Sequence, residues 1–192
     1  MEPVGAFGIA IDAKLDERLG RISSIDVLTP DCGIVRWFNR SPSPSKFDCV
    51  FEDVEIIGDR TTDTAGNFYD IKILSKNAAI MKKNGSYDHA KTFTETLRRV
   101  VFDGVPLEGL FRITERAIKN FTAELNANVV LLKALYLLCR EEGYAVDSLW
   151  VNSLSDFDGI FVREVIASKF AHYDADRTKN LAEALRQWIL SL

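Results

Sequence analysis

The sequence has no long hydrophobic run. Its longest apolar stretch, Val129–Cys139, contains Lys133 and falls well short of the ~20 residues needed to cross a bilayer. The opening MEPVGAFG lacks a basic segment followed by an apolar one, so no secretion signal is read and a cytoplasmic location is expected. Cysteine and histidine are scarce, at three and two residues. Cys32, Cys49 and Cys139 stand alone, no Cys-x-x-Cys pair exists, and His89 is far from His172. A zinc site needs four clustered ligands, so the expectation is no metal and three buried thiols in a reducing compartment.

Catalytic signatures are missing too. There is no Gly-x-Ser-x-Gly elbow, no Walker loop and no Gly-x-Gly-x-x-Gly dinucleotide fingerprint. Neither histidine has a nucleophile beside it. The adjacent carboxylates Glu52-Asp53 and Glu141-Glu142 read as solvated surface charge; on a strand neighbours face opposite sides, so Glu52 and Asp53 do not easily share a site. No catalytic residue and no cofactor are expected, and the chain is read as a non-enzyme. An overall excess of positive charge is also absent, since the net charge is −4. Residues 1–80 hold nine Lys/Arg against thirteen Asp/Glu, whereas residues 81–192 hold fifteen of each. Any contact with nucleic acid must therefore rest on a local patch rather than on the overall field.

What is present is ordinary globular composition, 47% hydrophobic and 27% charged over 192 residues. Short apolar runs at Ala6–Ile11, Arg21–Leu28, Ile34–Arg40, Asp48–Ile57 and Phe68–Leu74 alternate with turn-rich segments such as NRSPSPS and GDRTTDTAGN. Five strands in about seventy residues suit a small antiparallel barrel; the OB-fold is the commonest five-stranded one, and an SH3-like barrel fits the strand count almost as well. Thr29, Pro30, Asp31 and Gly33 give the second and third strands a tight turn.

From Tyr87 the period becomes helical. Ala90, Phe93, Leu97 and Val101 form one stripe, ended by Asp103-Gly104. Pro106 suits the first turn of the next helix, whose core face is Leu107, Leu110, Phe111, Ile118, Phe121 and Leu125. Val129–Glu142, apolar nearly all round, should be the central helix, with Gly143 as its terminator. Two further helices are expected at Asp156–Phe170 and Asp176–Leu190. The whole is an α+β chain, an OB-fold barrel domain over residues 1–80 and an all-α domain over residues 81–192. Ala78, Ala79, Ile80 and Met81, near the boundary, could pack one against the other.

Two surfaces carry binding chemistry. Alternation places Arg36, Phe38 and Arg40 on one face of the third strand, a cation–aromatic–cation row of the kind that holds a nucleic-acid strand. The competing arrangement turns Phe38 inward, but burying Val35 and Trp37 removes more apolar area from water. The second surface is basic and helical. Arg112, Arg116 and Lys119 share a helix face at i, i+4 and i+7, and Lys133 and Arg140, seven apart, share a side of the central helix. Such cations beside an apolar groove suit an acidic, hydrophobic peptide, although an ordinary solvated face explains them as well.

The order of these elements resembles a known family. Gly8-Ile9-Ala10-Ile11, then VLTPDCGIVRWF and FDCVFEDVEI, are similar to the N-terminal OB domain of the RecO family of bacterial recombination mediators. Further on, NVVLLKALYLLCREEGYAVDSLW is similar to that family's central helix and its Gly-Tyr turn. The resemblance covers about residues 6–150. It implies an OB-fold followed by a helical domain, no catalytic activity, binding of single- and double-stranded DNA, and strand annealing in DNA repair and recombination. Its implied partners are the acidic C-terminal tail of single-stranded-DNA-binding protein, and RecR, with which RecA is loaded. On matching positions Arg36, Phe38, Arg40 and Lys46 would serve DNA, and Arg116, Lys133 and Arg140 the tail. The chain departs from the family in two places. Val146–Gly159 contains no cysteine where many members carry a four-cysteine zinc module, and NRSPSPSK offers only Arg40 and Lys46 where members carry a strongly basic loop. The leading expectation is a RecO-like, zinc-free DNA repair protein; the alternative is a protein-interaction adaptor that no longer binds DNA.

Overall fold

Alternating apolar residues in the first seventy positions close into a barrel in the computed structural model, which describes residues 4–16, 18, 21–40, 49–101, 107–123, 125–168 and 173–192. Five strands, β1 (Val4–Asp16), β2 (Arg21–Thr29), β3 (Gly33–Asn39), β4 (Asp53–Arg60) and β5 (Ala65–Ile73), run in the order β1-β2-β3-β5-β4. β1 pairs with both β2 and β4, so the sheet closes, and β3 pairs with β5 in parallel while the other ladders are antiparallel. This is the OB-fold, and it selects between the two barrels left open by strand count. β1 is long enough to serve two neighbours because it bends at irregularities between Ala10 and Asp12 and between Lys14 and Leu15.

Side-chain alternation decides what fills the barrel. Ile22, Ile25, Val27, Val35, Trp37, Val54, Ile56 and Phe68 are buried together. Trp37 points inward, as the area argument anticipates, and Gly66 makes room for it: a Cβ there would sit 2.5 Å from the indole ring. The β2–β3 turn is closed by the Thr29 hydroxyl, which accepts from the Cys32 N–H at 3.2 Å and donates to the Gly33 carbonyl at 3.1 Å. Gly33 has φ +64°, a backbone state that residues with a Cβ seldom adopt. Cys32 is only half-buried, unlike Cys49 and Cys139, and its sulfur accepts from Arg60 Nη1.

Seven helices follow among the described residues: α1 (Asn77–Asn84), α2 (Tyr87–Val100), α3 (Glu108–Thr122), α4 (Ala127–Glu141), α5 (Val146–Leu149), α6 (Asp156–Ala167) and α7 (Ala175–Leu190). The chain divides into two compact units, Met1–Ile80 with Phe102–Glu115 and Met81–Val101 with Arg116–Leu192. In the second unit α4 is central, burying Val129 to Leu132, Leu135, Leu138 and Cys139 while packing on α2 and α7. Asn126 caps its N-terminus, accepting from the N–H of Asn128 at 3.1 Å. Gly143, at φ +77°, ends it, with the Tyr144 N–H returning to the Cys139 carbonyl.

The reading of Glu52 as solvated charge is overturned. Its side chain is 4% exposed and accepts from the Ser75 hydroxyl at 2.6 Å, the Asn77 N–H at 2.7 Å and the Ala78 N–H at 3.0 Å. It caps α1 from twenty-five residues away, which explains why α1 forms although no acidic residue lies in its own first turn. The expected stop at Asp103-Gly104, the turn at Pro106, the SPSPS loop, Lys46 and His172 lie outside the described residues. The helix expected to run to Phe170 ends earlier, at Ala167, where Ser168 turns to extended backbone.

Candidate nucleic-acid interface

The register of the β2–β3 hairpin sets the barrel's outer face. Thr29 opposite Gly33 places Asp26 opposite Arg36 and Ser24 opposite Phe38. Arg36 lies flat on its cross-strand neighbour: Nε donates to Asp26 Oδ1 at 2.7 Å and Nη2 to Oδ2 at 2.8 Å. Asp26 is 4% exposed and the Arg36 side chain 40%. The guanidinium reaches both oxygens, which offsets the cost of burying a carboxylate that deep. Arg36 therefore serves first to neutralise Asp26, and it brings no net charge to the face.

Phe38 and Arg40 are placed differently. Phe38 is 45% exposed, and the parallel β3–β5 ladder sets it beside Asn67. Arg40 Nε donates to Asn67 Oδ1 at 3.1 Å, a neutral partner that leaves the guanidinium charge uncancelled by that bond. Two residues beyond Asn67 on the same outward side is Tyr69, 46% exposed. An irregularity in the β4–β5 ladder, where Ile57 pairs with Asp70 but Gly58 with Phe68, leaves Tyr69 without an opposite number and frees its ring from the pleat. Its hydroxyl donates to Asp59 on β4, and that bond raises the phenol above its usual value of 10.

The face is thus a pair of aromatic rings about one cation and one amide, edged by Asp59 and by the Asp26–Arg36 pair. Sequence reasoning found Phe38 and Arg40 but missed Asn67, Tyr69, Asp26 and Asp59. The partner of Arg36 was legible: a turn that pairs 29 with 33 must also pair 26 with 36. Tyr69 was hidden by the irregular ladder.

The helical candidates disperse. Arg112, Arg116 and Lys119 are all exposed along α3, and Arg112 is paired to Glu108 one turn earlier. Lys133 is half-buried and its ammonium donates to the carbonyl of Ser168, the residue that caps the C-terminus of α6. Burial lowers its pKa from 10.5. Arg140 is exposed in the last turn of α4, where cations suit the helix dipole. Among the described residues no three His, Cys, Asp or Glu side chains converge as a metal-sized set, and no helix is long and apolar enough to cross a membrane. No protein-family model matches the chain, and no curated protein sequence matches it.

Proposed function

We propose that the protein is a RecO-like DNA repair and recombination protein whose OB barrel binds single-stranded DNA along the outer face of β3 and β5. The observation that carries the DNA contact is the pair of exposed rings, Phe38 and Tyr69, flanking Arg40 and Asn67 on adjacent parallel strands. Base stacking on an aromatic ring contributes about 1–3 kcal/mol per base regardless of sequence. Two rings with one arginine fit a short, sequence-tolerant and weak contact. Strand annealing, duplex binding, capture of the acidic tail of single-stranded-DNA-binding protein and cooperation with RecR belong to the same reading and rest on the resemblance in sequence.

A second reading, a protein-interaction adaptor, is favoured by one observation: Asp26 neutralises Arg36, and Asp59 edges the face. Fluorescence anisotropy with a mixed-sequence single-stranded oligonucleotide separates the two. At low salt the wild type binds, and Phe38→Ala and Tyr69→Ala each weaken binding by about fivefold to a hundredfold. The salt slope stays shallow, about −0.7 per phosphate over one or two phosphates. Absence of binding at low salt would leave the adaptor.

A further inference from the structure

On the helical unit, α6 is apolar on both of its sides. It buries Gly159, Val162 and Val165 against its own unit. Its exposed positions are Asp156, Phe157, Ile160, Arg163, Glu164 and Ala167, whose spacing gathers them into one stripe on the opposite side. Phe157 is 73% exposed and Ile160 56%. The ring of Phe157 is held in place, because the Arg177 guanidinium carbon lies 3.8 Å from its centroid. Asp158 Oδ1 fixes that guanidinium in turn, accepting from Nε at 3.0 Å and Nη2 at 2.7 Å. An apolar side chain already fixed loses little freedom when a partner covers it.

The charges of the stripe are arranged about Ile160. Asp156 and Arg163 lie on one edge of it, bordering the same groove beside α6 together with Gly159 and Ile160. Seven residues separate them, about 10 Å along the axis, too far for them to pair with each other. Among the described residues neither has an ion-pair partner. Arg163 Nη2 donates to the neutral Asn152 amide oxygen at 2.8 Å.

Two copies of α6 laid antiparallel about a two-fold axis bring residues of the same edge together. The register that sets Asp156 level with Arg163 of the second copy also sets Arg163 level with that copy's Asp156. Ile160 then lies next to the axis. The same register brings Glu164 level with Ser155, the N-cap of the opposite helix, where a carboxylate is favoured. The stripe is complementary in charge to itself.

We propose that α6 is a self-association surface on which a second copy of this chain docks antiparallel. Phe157 and Ile160 form its apolar centre, and two reciprocal Asp156–Arg163 pairs form its edge. One face of a three-turn helix is a small interface, so the dimer is weak, with a Kd of about 10–100 μM.

Sedimentation equilibrium on the full chain without DNA, from about 1 μM to about 1 mM, tests the surface. The wild type passes from monomer to dimer across that range. Ile160→Asp stays monomeric and, at an exposed position, keeps its circular dichroism spectrum. Asp156→Lys and Arg163→Glu each weaken the dimer by about tenfold or more, since each sets like charges together twice. An equimolar mixture of those two variants restores it, because the mixed pair regains two opposite-charge contacts. A monomer at every concentration overturns the proposal and leaves the stripe to a different partner. Open-ended assembly, a dimer unaltered by Ile160→Asp, or no restoration in the mixture overturns it as well. No DNA enters the measurement, so its failure is separate from failure of the barrel's DNA contact.

Discussion

Arg36 on the barrel and Arg99 on α2 count the same in a charge sum, yet their surroundings differ. Arg36 closes both oxygens of a carboxylate that is almost fully buried. Arg99 stands exposed on a cavity wall with two more arginines and one carboxylate. In the region with more acidic residues Lys72 pairs with Glu55, and Arg60 holds the carbonyls of Thr62 and Asp63. The charge-balanced region gathers three cations in one place. What a charge can bind depends on the partner it already has, and neither sum reveals that.

Truncation of the two arginines should expose this difference most strongly. Arg36→Ala leaves Asp26 buried and unpaired and should destabilise the fold by about 2–3 kcal/mol, below the full range for buried pairs because Arg36 is partly exposed. Arg99→Gln should change stability by less than about 0.5 kcal/mol. Urea denaturation measures both, and a cycle adding Asp26→Asn should recover part of the Arg36 loss. Equal effects of the two single substitutions would erase the contrast.

Next in size is Glu52→Gln. It keeps the shape of the side chain but weakens acceptance from the N–H groups of Asn77 and Ala78, and should cost about 1–2 kcal/mol. Hydrogen exchange in α1 should rise with it. Protection left intact there would mean that α1 is held by packing alone.

The smallest effect concerns two carboxylates whose pKa values move in opposite directions. Arg177, then Ser155, hold Asp158 below the ordinary value of 3.8, so its folded form binds a proton less tightly than the unfolded chain. Its contribution is present above pH 3.8 and fades as pH falls through the folded value. Burial raises Asp53 instead, so its contribution is present below pH 3.8 and fades as pH rises through its folded value. In melting curves across the acid range, Asp158→Asn should flatten the acid loss and Asp53→Asn should deepen it. Parallel shifts in the two variants would contradict these directions.

The elements differ in how far they could be read in advance. The β2–β3 hairpin was legible because its turn chemistry and period-2 pattern are local, and they fix register and the inward Trp37 together. The central helix was legible for the same reason, since α4 is buried on nearly every side and Gly143 stops it. α1 was not, because its cap comes from Glu52 on the far side of two strands and the loop between them. Lys133 looked available on a helical wheel, but the end of α6, thirty-five residues on, takes its ammonium.

Alone, the sequence determined the two-part architecture, the strand and helix faces, and the outward placing of Arg36, Phe38 and Arg40, since apolar periodicity acts over a few residues. Tertiary structure decided which charges meet one another. Asp26 reaches Arg36 across a ladder, Tyr69 leaves the pleat at a ladder irregularity, and Arg98, Arg99 and Arg186 meet only when α2 packs on α7. Electrostatic partnership acts through space between residues distant in the chain, and local pattern does not encode it.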